Sequence, residues 1–366
     1  MPSFGRFISL LPFLVQPVLS QTSGQACNQF PALCDRSYDN ITQLGAHNSP
    51  FLRDGQDGFT QSGNHYYNTT VQLNAGVRLV TAQVHRDNGT LRLCHSNCQL
   101  LDAGPLRDWL TEIRTWLSSN ADNVVTVLLV NADSVSATDL AAEYSAANAV
   151  NISYAPPSSS VAPTTWPTLR ELIANQTRLI TFVASLPSPS PSAPYLLDEF
   201  TYLFESPYQN NQPSDLLRCG VDRPSRFNGN TATALQNNLL PLTNHFLYND
   251  SLSLFGNSID QPDESRVNVT NAPGGPGEGN MGQKADLCTR EYGRAPWGML
   301  VDFFNVGPAI QTVDRLNGVS VPIGRQEVGE GAPAAGSSSG SRVGWGMWGA
   351  VVVVGLGLAA QEWAAA

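Results

Sequence analysis

The chain has 366 residues, 42% hydrophobic and 14% charged, with a formal net charge of −10. A surplus of acid argues against a nucleic-acid partner and against electrostatic capture of anionic lipid, since both require a basic surface. The apolar content is that of a globular protein, long enough for one large domain or two small ones.

Residues 1–20 read as a secretory signal peptide. Arg6 supplies the positive end, 7–15 form a short apolar core, and Val18, Leu19 and Ser20 precede a cut near Gln21. Pro12 and Pro17 break the stretch, which is too short for a membrane span. The domain is expected over 21–325.

Within it, 41–45 predicts a strand running into the turn-prone Gly45-Ala46-His47-Asn48-Ser49-Pro50. Residues 76–85 predict a second strand, with Leu79, Thr81, Gln83 and His85 on one face and Val80, Ala82 and Val84 on the other. A short extended piece over 91–94 leads to His95. Over 105–119 the apolar residues recur at helical spacing behind Pro105, so Trp109 and Trp116 are most simply core. The uninterrupted apolar run 124–130 suits a strand buried on both faces of a parallel sheet. Helix over 136–147 and 169–174, strand over 178–183, a Pro/Ser loop over 185–194 and a short strand over 202–205 follow. Residues 237–248 mix helix and strand signals, 272–282 form a Gly/Pro-rich loop, and 298–302 read as a late strand ending in acid. Strands alternating with helices predict an α/β fold, either a parallel (β/α) barrel or a doubly wound sheet.

The C-terminal end changes character. A small, polar linker over 326–342 precedes a tail over 343–366 that is almost wholly apolar to Ala360 and continues only with Gln361, Glu362, Trp363 and three alanines. That order suits a GPI-attachment signal, joined near 335–339, better than a spanning helix, whose cytoplasmic side is usually basic. The expected location is therefore outside the cell, at the surface or wall, on the outer leaflet of the membrane. Seven Asn-X-Ser/Thr sites, at Asn40, Asn68, Asn88, Asn151, Asn175, Asn249 and Asn268, agree with export. Six cysteines in an exported chain suggest three disulfides out of fifteen arithmetical pairings. Pairing by proximity joins Cys27 to Cys34 and Cys94 to Cys98, leaving Cys219 with Cys288.

His47 and His95 each follow a predicted strand directly. In a parallel barrel the strand C-termini surround the active site. Two histidines there can divide acid–base work near neutral pH without large tuning. The segments Leu44-Gly45-Ala46-His47-Asn48-Ser49, Gly76-Val77-Arg78, Leu93-Cys94-His95 and Leu300-Val301-Asp302-Phe303-Phe304-Asn305 occur in an order and spacing that resembles the X-domain of phosphatidylinositol-specific phospholipases C, most nearly its secreted fungal phosphodiesterase-like branch. The resemblance spans about 27–318 and implies a distorted TIM barrel in a single domain. It also implies a phosphodiester or phospholipid substrate. On that resemblance His47 matches the general base, His95 the general acid and Asp302 the carboxylate that orients the base. Asn48 matches a position that binds calcium in eukaryotic members.

The chain departs from the family at its second strand. Calcium-dependent members carry two acids there and metal-independent bacterial members an Asp and an Arg; this chain has Thr81 and Gln83. No cofactor is therefore expected, beyond weak calcium binding, because two hard carboxylate ligands are missing. Gln83, with His85 and Asn48, is expected to contact substrate instead. Glu205, at a strand end, is expected to supply substrate hydrogen bonds or a metal oxygen, and His245, in Asn244-His245-Phe246, to line the barrel mouth, the alternative for His245 being a buried structural role. His65 reads as loop surface, and Arg223 as a candidate phosphate contact. The leading expectation is a phosphoric diester hydrolase of phospholipase C type. The rival is a cell-surface glycoprotein that keeps the barrel and has lost catalysis, and the missing charged pair favours it. A glycoside hydrolase ranks last, since no flanking carboxylate pair stands out.

Overall fold

The computed structural model describes residues 25–55, 60–249, 253–254, 257–258 and 260–333. The expected leader over 1–20, the attachment region at 335–339 and the tail over 343–366 lie outside them.

Eight parallel strands follow one another around a curled sheet in chain order: β1 (Gln43–Ala46), β2 (Leu79–Asp87), β3 (Val125–Asn131), β4 (Leu179–Ala184), β5 (Leu196–Asp198), β6 (Leu203–Glu205), β7 (Leu240–Asn244) and β8 (Gly298–Val301). β1 pairs with both β2 and β8, which closes the sheet on that side. The ladder ends at β5 and at β6, and these two edges are joined by one helical turn, Glu199–Tyr202. The fold is thus a TIM-type barrel, distorted by a seam. The doubly wound alternative is excluded by the β1–β8 closure.

Alternation along the strands sorts the core. Leu79, Leu128, Ile180, Phe182, Leu240, Leu242 and Leu300 fill the barrel with Tyr38, Trp166 and Trp297. The opposite parity, Val80, Ala82, Val84, Val125, Val127 and Leu129, meets the helices Leu106–Ser119 and Ala137–Ala146 through Trp109, Ile113, Trp116, Leu140 and Tyr144. Both tryptophans are core, and each indole N–H is bonded at 2.7 Å, Trp109 to Thr69 Oγ1 and Trp116 to Asn74 Oδ1.

The three disulfides join Cys27–Cys34, Cys94–Cys98 and Cys219–Cys288, as proximity predicts. Six of the seven glycosylation sequons have an exposed Asn. Asn68 is half-buried and caps the helix Thr69–Asn74, its side chain accepting from Val71 N–H at 3.1 Å.

Candidate active site

β1 and β8 lie side by side with Ala46 opposite Val301. The next residues, His47 and Asp302, therefore emerge together at the C-terminal rim. His47 Nδ1 lies 3.0 Å from Asp302 Oδ1. A carboxylate only accepts, so Nδ1 carries a proton, and in the neutral ring the lone pair is then on Nε2. The ring lies flat on Phe246, with centroids 3.7 Å apart and planes within 6°. The Asp302 side chain is 6% exposed and the His47 side chain 13%.

His95 arrives by another route. β2 overshoots the barrel and turns back into an antiparallel strand, Thr90–Cys94, with Val84 opposite Leu93. The strand that precedes His95 is thus a hairpin arm and not one of the barrel strands. Because the arm runs back toward the sheet, its end returns to the rim. There the Cys94–Cys98 disulfide closes a small loop around His95. The His95 N–H donates to the Leu101 carbonyl at 2.9 Å. Its ring is buried, edge-on to Phe51 at 5.3 Å, and Ser96 Oγ lies 3.4 Å from its Nδ1. Burial, with the neighbouring His47, pushes the His95 pKa down to about 4.

The residues that replace the family's charged pair join these two segments. Thr81 Oγ1 accepts from the Asn48 N–H and the Thr81 carbonyl from the Ser49 N–H, both at 2.8 Å. Those bonds hold Asn48 in a left-handed conformation, φ 55°, which asparagine tolerates better than most residues. Gln83 accepts from the Ser96 N–H at 2.8 Å and reaches Asn48 Oδ1 at 3.4 Å. Both ends of its amide are thereby engaged, one beside each histidine. The two carboxylates that calcium would need are absent from this strand, and the residues present do not fit the ion. Among the described residues no group of three His, Cys, Asp or Glu is placed to share a metal.

His85 stands one step beyond Gln83 on the same face of β2, its Nδ1 3.3 Å from Asp133 Oδ1. It is close enough to lower the His95 pKa further. Two expectations need correction. His245 does not line the mouth: it is 0% exposed, and its Nε2 donates to the Thr270 carbonyl at 2.8 Å. Leu240, Leu242 and Phe246 point into the barrel, so His245 has the opposite parity, and Phe246 is the residue that reaches the site. Glu205 is 2% exposed and is held by Arg223 and by Asn244 Nδ2, the latter at 2.9 Å. Burial and the Glu205 charge push Glu199 well above the usual carboxylate range. Despite the same burial, the Arg223 charge, with Glu199 and Asn244, lowers the Glu205 pKa. Arg223 is committed to this cluster, with its guanidinium 4.3 Å from the Tyr208 ring centre.

His65 also departs from expectation. It is a core residue, not loop surface, at 0% exposed, and its Nε2 donates to the His47 carbonyl at 2.8 Å. Asn64, Phe51 and Phe246 were not legible as site residues, because none carries a motif and each acts through a long-range contact.

The chain matches the PI-PLC X family model ("PI-PLC X 1") over residues 33–317. It is 36% identical to a "PI-PLC X domain-containing protein 1" from Arthroderma benhamiae over 294 residues, 80% of this chain and 90% of that one. A second protein of that organism, named "Uncharacterized secreted protein", is 36% identical over 304 residues, 82% of this chain. The match spans 65% of that relative's length. Among solved structures, a mutant of the phosphatidylinositol-specific phospholipase C from Staphylococcus aureus superposes with a TM-score of 0.50 at 11% identity, covering 81% of this chain and 98% of that one, a likeness of fold. The enzyme from Listeria monocytogenes gives 0.48 at 11% identity over 79% and 97%. With a family match across most of its length, the chain belongs to the PI-PLC X-domain family.

Proposed function

We propose that the protein is an exported phosphoric diester hydrolase of phospholipase C type, cleaving an inositol phospholipid or a GPI-type headgroup. The observation that carries this reading is the pairing of an imidazole bonded through Nδ1, His47 on Asp302, with a second imidazole, His95, whose segment Gln83 joins to that of His47 by bonding Asn48 and Ser96. His47 Nε2 takes the proton from the inositol 2-hydroxyl, whose oxygen forms the new bond to phosphorus. The bond from phosphorus to the lipid alcohol breaks, and His95 donates a proton to the departing oxygen. Water then opens the cyclic phosphate with the two roles exchanged. Asp302 keeps His47 in the productive tautomer and stabilises the imidazolium that forms. The secreted relative supports export, and the tail over 343–366, read as a GPI signal, supports a position on the outer leaflet.

The rival reading, a glycoprotein without turnover, is favoured by the engagement of Gln83 within the site where the family has charge. One assay separates the two. Wild type, His47→Ala, His95→Ala and the double variant carrying both substitutions are tested on phosphatidylinositol vesicles and soluble inositol phosphodiesters, with calcium and with chelator. Each single variant is expected to lose about 100- to 10,000-fold in kcat, the usual range for general acid–base groups. A wild type no faster than the double variant on every substrate would establish the inactive reading. Turnover that vanishes with chelator would contradict the misfit to calcium.

A further inference from the structure

The loop between β1 and the helix Thr69–Asn74 carries two consecutive residues, Asn64 and His65, that are each 0% exposed. Burying an amide or an imidazole is costly unless its polar atoms are bonded. Asn64 Oδ1 and His65 Nδ1 remain without a partner, so that cost is retained and the bonds that do form must matter. Three of them reach the two segments bearing the His47–Asp302 pair. Asn64 Nδ2 donates to Asp302 Oδ1 at 2.8 Å. The Asn64 carbonyl accepts from the Phe303 N–H, also at 2.8 Å. His65 Nε2 donates to the His47 carbonyl at the same distance. Backbone bonds from both residues to the Phe51 carbonyl anchor the dipeptide on its other side.

Asp302 Oδ1 thus accepts from two donors, His47 Nδ1 at 3.0 Å and Asn64 Nδ2 at 2.8 Å. The carboxylate accepts only, so the amide must present its nitrogen. One hydrogen bond leaves a carboxylate free to rotate about its terminal torsion, a broad and soft one; two donors on one oxygen remove that freedom. The neighbouring backbone needs such support, since Phe303 sits in the left-handed region at φ 44°.

We propose that Asn64 is a positioning residue for the proton-transfer pair: it locks the Asp302 carboxylate so that His47 holds its proton on Nδ1 and turns Nε2 to the substrate, while His65 fixes the backbone of His47. The kinetic side of this proposal rests on the diester-hydrolase reading; the tautomer does not. His65 and His95 also interact with His47, and neither is bonded to its Nδ1, from which Asn64 Nδ2 lies 3.5 Å.

The test uses the secreted protein labelled with 15N-histidine. NMR reads the His47 tautomer in wild type, Asn64→Ala and Asn64→Leu; the leucine keeps the side-chain volume without the donor, so the measurement does not depend on the alanine variant folding. Wild type is expected to hold the Nδ1–H tautomer, and both variants to populate a mixture. On phosphatidylinositol, kcat is expected to fall about ten-fold with KM changed by less than about two-fold, the signature of a lost charge-assisted bond felt after substrate binding. A folded variant whose His47 tautomer matches wild type overturns the proposal. If wild type itself turns over no diester, the hydrolase reading fails, and the NMR comparison still decides the role of Asn64.

Discussion

The two sides of the barrel mouth hold their histidines by opposite means. His47 follows a barrel strand and is fixed through its side chain, by Asp302 at Nδ1, by Phe246 beneath the ring and by the Asn64–His65 brace behind the carboxylate. His95 follows a hairpin arm and is fixed through its backbone, by the Cys94–Cys98 loop and the Leu101 carbonyl, with its ring merely enclosed. The difference bears on the roles proposed for them, His47 as base and His95 as acid. A base must keep one nitrogen bare, which takes a directed partner on the other nitrogen. An acid must give up its proton readily, and enclosure without an anionic partner weakens its hold on that proton.

The pH profile tests this contrast most strongly. In the free protein His95 is protonated only below about pH 4, since burial and then His47 disfavour its charge while Asp302 opposes them in part. The productive form needs a proton on His95 and none on His47 Nε2, and it becomes scarcer as pH rises. kcat/KM, which reports the free enzyme, is expected to be at least about ten-fold higher at pH 6 than at pH 9. A rise toward alkaline pH would remove His95 from the acid role.

The second test breaks one support at a time. Replacing Cys94 and Cys98 by serine opens the loop that aims His95, and kcat is expected to fall about ten-fold, the effect of roughly 1.4 kcal/mol of lost orientation. Replacing Cys27 and Cys34 removes a disulfide of similar span that is remote from the mouth. That pair should lower Tm and leave kcat within about two-fold. Equal kinetic losses from both pairs would mean that the loop around His95 contributes only stability.

The smallest effect lies in acid stability. Burial lowers the pKa of His65 and His95 to about 4 and of His245 to about 3. The unfolded chain takes up these protons below about pH 6.5 while the folded protein refuses them, so stability is full above 6.5 and is lost as pH falls toward 4. His245→Gln keeps a donor for the Thr270 carbonyl and removes one such group. The drop in stability between pH 7 and pH 5 should shrink by about 2 kcal/mol, read from urea midpoints at the two pH values. An unchanged drop would mean that His245 is protonated in the folded protein.

Much of the fold was legible from periodicity, and the exceptions have identifiable causes. The runs over 76–85 and 124–130 declared strands because the first alternates and the second is apolar throughout, and both lie in the sheet. β5 was missed because it has three residues, too few to display a period, and β7 because its turn-rich flanks mixed the signals. His245 was misplaced by one residue of strand parity, which Asn244-His245-Phe246 alone does not resolve. His65 read as surface because a polar neighbourhood in sequence is no measure of the neighbourhood in space.

Strand ends singled out His47 and His95 in the sequence itself, proximity singled out the Cys27–Cys34 and Cys94–Cys98 pairs, and Asp302 was read only through the family resemblance. Strand ends and short cysteine spacings are local, and short-range backbone physics is enough to express them. Only the tertiary structure decided that His95 arrives on a folded-back arm, that Thr81 and Gln83 join the site's two halves, and that Asn64 grips Asp302 from 238 residues away. Each of these is a hydrogen bond or strand pairing between segments whose approach depends on closing the barrel, and closure belongs to the sheet as a whole.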